Sequence, residues 1–250
     1  MTVLVAREPY RATVEYDGTD YYGFQVQADR PTIQGAIEKA LAECAGEPVR
    51  IIGAGRTDAG VHALGQVIGF RLRWRHSLAD LQRALNARLP PDIVIRELAR
   101  APEDFHPRFS ARSRVYRYTV LNQPRRSPLA RRFAHHVAEP LNLSAMNEAA
   151  ALLLGRHDFA TFGNPPQGEN TVREVLEAAW TREGNYCYFH IEANAFLHRM
   201  VRTLVSAMLL VGQGQMRGED FAALLAARDR SLAPPPVPAC GLCLLEVKYE

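Results

Sequence analysis

Hydrophobic residues recur along the first part of the chain at two spacings: the alternation of half-buried strands and the three-to-four-residue steps of amphipathic helices. Turn signals such as Asp17-Gly18 and Pro90-Pro91 separate these segments, and Thr32 and Ser77 precede the two helical patterns, where such residues cap helices. The predicted order is β-α-β-β-α-β, the split βαβ pattern. In chain order, the predicted elements are a strand at 11–16, a helix at 32–41, strands at 50–52 and 66–72, a helix at 77–89 and a strand at 92–95.

The second part of the chain contains elements of the same kinds without an obvious sequence repeat. We therefore predict two α+β halves that share a sheet, at residues 1–105 and 106–250, with two linkers at 163–168 and 233–238. The predicted elements are a strand at 113–121, a helix capped by Ser144 and running to Leu153, paired strands at 172–181 and 186–193, a long apolar helix at 196–211, a helix at 218–227 and a closing strand at 241–249.

Composition narrows the class of protein. The chain has 250 residues, of which 47% are hydrophobic and 23% charged, and its mean hydropathy is −0.19. No apolar run reaches the roughly 18–20 residues of a membrane span, and the segment from Met1 to Arg7 lacks the features of a signal peptide. Four cysteines in a chain of this length do not form a disulfide framework. We expect a cytoplasmic protein with no membrane partner.

Charge is distributed unevenly. The net charge is only +3, yet residues 105–138 hold eight arginines and no acidic residue, with aromatic residues interleaved. Arginine binds phosphate through two parallel hydrogen bonds, and aromatic faces stack on bases, so this basic block favours a nucleic-acid site. The alternative is a solvated strand pair with extended arginine side chains. The candidate contacts to an RNA backbone are Arg108, Arg114, Arg125 and Arg126.

A glycine-rich segment at 53–65 contains the most distinctive candidate chemistry. It does not match a dinucleotide-binding fingerprint, because the sixth position of the motif is Asp58 rather than glycine, and no Gly-Lys-Ser/Thr follows, as a P-loop requires. A carboxylate on such a loop, with Arg56 two residues before it, suits a nucleophile or a base. The alternative is an Asx-turn in which Asp58 bonds the backbone near Gly60.

Two other sequence features carry candidate chemistry. Cys240 and Cys243 form a C-x-x-C, but a zinc site needs a second pair and a strand would point the two side chains to opposite faces, so no metal is predicted. Arg199 and Arg202 share a face of the predicted apolar helix. An arginine directed inward there needs a carboxylate partner, whereas a helix start at the surface does not.

Several segments resemble the tRNA pseudouridine synthase A family, over nearly the whole chain and in the same order. The nine residues from Gly55 to Ala63 resemble the active-site motif of that family and carry the most specific part of the likeness. Loops around 165–169 and before Cys240 differ in length from relatives. The other matching segments are 17–19, 22–27, 116–118, 157–159, 193–196, 200–202 and the closing 241–244.

The resemblance implies a fold and an activity. The fold is two RRM-like, ferredoxin-like halves that form one mixed, mostly antiparallel sheet flanked by helices, with a central basic cleft. The activity is conversion of uridine to pseudouridine in the anticodon stem-loop of tRNA, by a homodimer and without a cofactor. Asp58 matches the catalytic aspartate, Tyr116 the tyrosine that stacks on the target base, Arg202 the arginine that pairs with the aspartate, Arg56 the residue that moves toward the space of the everted base, and Leu244 a residue at the substrate.

The sequence leaves the role of the aspartate open. Asp58 could attack C1′ of the ribose, add to C6 of the base, or remove a sugar proton. Two rivals to an isomerase also stay open at this point. One is a non-catalytic RNA-binding protein of two RRM-like units. The other is a zinc-dependent nucleic-acid hydrolase that uses Cys240, Cys243 and histidines.

Overall fold

A computed structural model describes residues 7–165 and 168–249. The N-terminal segment 1–6, the two linker residues Pro166 and Gln167, and Glu250 lie outside the described residues. The chain divides into two compact units. The first comprises Met1–Arg112 with Leu244–Glu250, and the second comprises Ser113–Cys243. The predicted halves at 1–105 and 106–250, as RRM-like units, stay a prediction.

The first unit has the predicted order of elements. Its elements are β1 (Glu8–Tyr16), α1 (Ile33–Ala45), β2 (Ile51–Gly53), β3 (His62–Leu72), α2 (Leu78–Asn86) and β4 (Ile93–Arg100). Strand β1 lies between β3 and β4 and is antiparallel to both, and β2 is antiparallel to the distal part of β3. The two helices contribute buried side chains to the core of this unit, among them Ile37, Leu41, Leu81 and Leu85.

Local side-chain bonds fix the two helices where the sequence predicts them to begin. The Thr32 side chain accepts a hydrogen bond from the Gly35 N–H, and α1 ends at Gly46 in the left-handed conformation. Ser77 and Asp80 form a capping box at α2. This helix ends at Asn86, three residues before the predicted end. Both helix starts in this unit are therefore confirmed.

The second unit is a further mostly antiparallel sheet with three helices. Its elements are β5 (Ser113–Asn122), β6 (His135–Val137), α3 (Leu143–Ala151), β7 (Gly155–Asp158), β8 (Val172–Glu183), β9 (Tyr186–Ala193), α4 (Met200–Gly212) and α5 (Gly218–Ala227), followed by β10 (Leu242–Lys248), which continues into the first unit. The strand order β5-β9-β8-β7 has antiparallel neighbours throughout, and β6 pairs with β5 in the parallel direction.

Three predictions about this unit are wrong in detail. Asn142, not Ser144, caps α3, because its side chain accepts the Ala145 N–H. Helix α4 begins at Met200 rather than at 196, because Arg199 adopts a left-handed conformation with φ 64°. Arg199 and Arg202 therefore do not share a helix face. Cys240 lies in the 3₁₀ turn Ala239–Gly241, which precedes the closing strand as the sequence predicts.

Apolar packing holds the second unit together. Helix α4 is buried on most of its circumference and contacts α3, α5 and β5. Phe189 and Ile191 on β9 are fully buried, as are Leu204 and Met208 on α4. Such a helix is stabilised by burial over most of its surface rather than by one apolar stripe. Of the helices in the described ranges, none has the length and hydropathy needed to cross a bilayer.

Candidate active site

Asp58 lies in the loop between β2 and β3, and backbone hydrogen bonds define that loop. The Val61 N–H donates to the carbonyl oxygen of Asp58 at 3.1 Å, and the Gly60 N–H donates to that of Tyr21 at 3.3 Å. Gly60 has φ 78°, the left-handed conformation that glycine adopts at little cost. Backbone groups thus close the turn at Asp58, and the carboxylate side chain is half-buried.

Thr57, the residue before the aspartate, is anchored twice. Its side chain is buried, and its hydroxyl lies 2.8 Å from the hydroxyl of Tyr16 at the end of β1. Its carbonyl oxygen accepts the Phe24 N–H at 3.0 Å. Because side chain and backbone are both held, the position of Asp58 is set by the core of the first unit rather than by a loose loop.

Two glycines let the segment at 17–24 approach this loop. A Cβ on Gly23 would lie 2.7 Å from the carbonyl oxygen of Thr57, and a Cβ on Gly18 would lie 2.0 Å from that of Val61. Gly23 also has φ +88°. No other residue type fits these contacts without moving the backbone. The Asp17-Gly18-Thr19 and Gly23-Phe24 segments therefore accompany the Asp58 motif for a steric reason.

Polar contacts stiffen the same segment. Asp17 accepts hydrogen bonds from the N–H and the hydroxyl of Thr19, at 2.9 and 2.6 Å. The Tyr21 hydroxyl donates to Asp92 at 2.7 Å. Burial, followed by that carboxylate, raises the pKa of Tyr21 well above its ordinary value. Tyr21 is therefore a neutral donor throughout the physiological pH range.

Arg56 is an exposed residue of the motif. Its side chain points to solvent one residue before the buried Thr57. Leu244, by contrast, is fully buried on β10 in the first unit. An exposed arginine next to an anchored aspartate can reach a polyanion, whereas the role of Leu244 at a substrate stays a prediction.

Tyr116 lies on β5 in the second unit and is held by a second ring. It is only 8% exposed, and the ring of Phe196 meets it edge to face, with centroids 5.0 Å apart and planes at 82°. On β9, the partner of Tyr116 in the sheet is the fully buried Ile191. The tyrosine ring thus has a fixed orientation, as a stacking platform requires.

Arg202 joins the first turn of α4 to the proline-rich segment. Its Nε donates to the carbonyl oxygen of Val237 at 2.8 Å, and the Val237 N–H donates back to the carbonyl of Arg202 at 3.3 Å. The side chain is half-buried. This reciprocal pair helps to orient the guanidinium.

The four candidate RNA-backbone arginines differ in their surroundings. Arg114 is nearly buried and donates to the carbonyl oxygen of Asn194 at 2.9 Å. Arg108 is half-buried beside the Phe109 ring at 5.6 Å. Arg125 and Arg126 are exposed in the loop after β5. The last two are therefore the most accessible to a polyanion.

Sequence reasoning did not identify the residues that position the candidate aspartate. Tyr16 and Phe24 carry no motif of their own, because the sequence shows them only as the end of a predicted strand and as part of a segment that resembles the family. Gln66, fully buried on β3, also donates to the carbonyl oxygen of Gly55 at 3.0 Å. A buried glutamine within an apolar strand was the one available signal.

The described residues contain no group of three or more His, Cys, Asp and Glu side chains arranged for a metal ion. Cys240 and Cys243 are half-buried. Burial raises the pKa of the Cys240 thiol. This thiol is therefore in its neutral form at physiological pH.

Comparisons with known proteins point to one family. A family model described as tRNA pseudouridine synthase matches residues 12–110 and 149–250. The matched ranges include Arg56, Asp58 and Arg202, while Tyr116 and Arg126 lie between them.

Curated relatives match nearly the whole chain. A protein of Chloroflexus aurantiacus named tRNA pseudouridine synthase A is 46% identical over 242 residues, which are 94% of this chain and 86% of the relative. Proteins of the same name from Aeromonas hydrophila and Moorella thermoacetica are 44% and 42% identical. These matches cover 94% and 96% of this chain, and 88% and 98% of the relatives.

Proposed function

Because the chain belongs to the tRNA pseudouridine synthase family, we propose that Asp58 is the catalytic carboxylate of its reaction. That reaction is the isomerisation of uridine to pseudouridine in tRNA. It breaks the N1–C1′ bond, rotates the uracil, and joins C5 to C1′. The hydrogen on C5 leaves as a proton and N1 gains a proton, so no electrons pass to another molecule.

An anchored carboxylate suits this chemistry. Cleavage of a glycosidic bond develops positive charge at the sugar, which an adjacent carboxylate stabilises. Glycosidases add a second carboxylate that activates water, whereas an isomerase must retain the base. The double anchoring of Thr57 carries the proposal, because it holds one carboxylate without relying on a bound ligand.

The base must leave its stack to reach Asp58, which costs a few kcal/mol. We assign Tyr116 to stack on the everted base, a contact worth about 1–3 kcal/mol. The fixed orientation of its ring against Phe196 supports this assignment. Arg202 pairs with the aspartate and favours its charged form. Arg56 moves toward the space that the base vacates, and Leu244 completes the substrate pocket.

The same proposal extends to the substrate and the assembly. The two units are RRM-like halves whose basic cleft takes the anticodon stem-loop, and two copies of the chain bind one RNA. The β-α-β-β-α-β order of the first unit and the acid-free arginine block at 105–138 support this view. We also propose a cytoplasmic location, which fits cysteines that form no disulfide in the described residues.

Pseudouridine mapping tests the activity and its location. Bulk tRNA that lacks anticodon-stem pseudouridine is incubated with the purified protein and mapped by chemical labelling. We expect new pseudouridine confined to the anticodon stem-loop. New pseudouridine elsewhere would contradict the substrate assignment. Binding of tRNA without any pseudouridine would instead favour a non-catalytic RNA-binding protein, which the enzyme names of the relatives do not favour.

A further inference from the structure

A cavity in the second unit is lined by no residue of the candidate catalytic loop, although the candidate RNA contact Arg126 borders it. Its volume is about 410 Å³, within the roughly 300–1,000 Å³ of pockets that take small ligands. The loop between β5 and β6 forms most of its wall, and Cys240 closes another side. The loop lies between the two ranges that match the family model.

The cavity carries positive charge without compensation. Arg126 and Arg131 line it, both are exposed, and no acidic residue is among its lining. Within residues 7–165 and 168–249, neither guanidinium has a carboxylate within salt-bridge distance. Two unpaired guanidinium groups at one opening form a site for an anion such as phosphate, which arginine binds with two parallel hydrogen bonds.

The walls are suited to the rest of a nucleotide. The Ser127 hydroxyl accepts the Ala130 N–H at 3.3 Å and keeps its own hydrogen to donate. His136 Nε2 lies 2.8 Å from the carbonyl oxygen of Gln123, which makes that nitrogen the donor and leaves Nδ1 as an acceptor in the neutral ring. Burial, then the neighbouring His136, lowers the pKa of His135, so this imidazole is neutral at pH 7. A neutral His135 ring and apolar walls favour a sugar or a base.

We infer that this cavity is a subsite for one nucleotide of the bound RNA, with a phosphate on Arg126 and Arg131 and the nucleoside against the apolar wall. The inference rests on the proposed function, which supplies RNA as the ligand. It adds a defined contact at a place other than the catalytic loop. An arginine surface without a cavity would give only diffuse attraction, whereas a cavity gives a contact that a bulky side chain can block.

Affinity for unmodified tRNA, measured by filter binding, separates these two cases. The Arg126→Gln/Arg131→Gln variant should bind about tenfold more weakly, with a salt slope lower by roughly 0.7–0.9 for each lost phosphate contact. Ala130→Trp keeps every charge and fills the cavity, and should also weaken binding about tenfold. Arg156→Gln, which removes one exposed arginine on β7 in the same unit, is the control for loss of charge away from the cavity and should bind as wild type does.

The outcomes distinguish the subsite from the proposed function. Normal affinity of a folded Ala130→Trp protein would overturn the subsite, even if the arginine variant binds weakly. Normal affinity of the double-arginine variant would overturn it as well, and this variant alters only exposed positions. Absence of pseudouridine formation by wild-type protein would contradict the proposed function, while weakened tRNA binding by both variants would still support the subsite.

Small probes identify the ligand class. We expect uridine 5′-monophosphate to shift the imidazole resonances of His135 and His136 saturably, and uridine to do so at least about tenfold more weakly. The shifts should vanish in the double-arginine variant. Inorganic phosphate that binds as tightly as the nucleotide would overturn the nucleotide assignment, since the nucleoside would then contribute nothing.

Discussion

The hydroxyl groups of Tyr16 and Thr57 lie 2.8 Å apart in the buried interior of the first unit, directly behind the candidate catalytic loop. Tyr16 ends β1, and Thr57 precedes Asp58. The bond therefore links the sheet to the residue that bears the proposed chemistry. This contact positions the residue before Asp58 and also contributes to the stability of the fold.

A double-mutant cycle measures this bond. Tyr16→Phe leaves the Thr57 hydroxyl buried without this partner and should lower the free energy of unfolding by about 1–3 kcal/mol. Thr57→Val should cost a similar amount. The double variant replaces both polar groups by apolar ones and should cost less than the sum. Urea unfolding provides the free energies, and strict additivity would show that the two hydroxyls are not coupled.

Gly23→Ala should be far more costly than the same change at Gly46. Both glycines have positive φ, so each alanine costs about 1–2 kcal/mol of strain. Only at Gly23 does the added Cβ also meet a backbone carbonyl, that of Thr57 at 2.7 Å, which adds about 1–3 kcal/mol. Gly23→Ala should also reduce turnover, because the loop must shift. Equal unfolding midpoints for the two variants would contradict the close approach.

Stability should fall on acidification through His190. Burial, and then Arg117, lowers the pKa of His190 in the folded protein. The unfolded chain therefore takes up a proton that the folded chain does not, and this contribution, complete above about pH 6.5, is lost as the pH falls. In a plot of the free energy of unfolding against pH, His190→Gln should reduce the slope below pH 6.5 by up to about 1.4 kcal/mol per pH unit. The exposed His76→Gln is the control, and identical profiles for wild type and His190→Gln would refute the assignment.

Arg202 should affect turnover more than RNA binding. Arg202→Met removes the Nε contact to Val237 and the proposed partner of the aspartate, so kcat should fall at least about tenfold while tRNA affinity changes less than about threefold. Arg199→Asn is the matched control, since asparagine tolerates the left-handed backbone at that position. A loss of affinity equal to the loss of kcat would assign Arg202 to RNA binding instead.

The sequence predicted those elements in which the hydrophobic spacing and the capping or turn residues indicate the same boundary. Ser77 with Asp80 identified the start of α2, and the Gly184-Asn185 turn joined β8 to β9 as expected. The start of α4 could not be predicted, because apolar residues continue through 196–197 while Arg199 departs from helical geometry. Strand β6 is only three residues long and parallel to β5, so it has no distinctive pattern.

The candidate site also contains residues that the sequence could identify and residues that it could not. Asp58 stood out because a carboxylate is unusual on a glycine-rich loop, and Arg56 lay beside it. The anchors Tyr16 and Gln66 could not be identified, since a tyrosine at a strand end and a glutamine within a strand acquire their roles only when distant segments pack together. Arg131 was one of eight arginines in the basic block and not a candidate RNA contact, and only the cavity that it lines with Arg126 draws attention to it.

Tritium release from tRNA that contains [5-³H]uridine tests the role of Asp58 most directly. Wild-type protein should release tritium without an added cofactor, as should Asp104→Asn, the same change at an exposed aspartate. Asp58→Asn should bind tRNA with near wild-type affinity and release tritium about 10²- to 10⁴-fold more slowly. Release at the wild-type rate by Asp58→Asn would contradict the account.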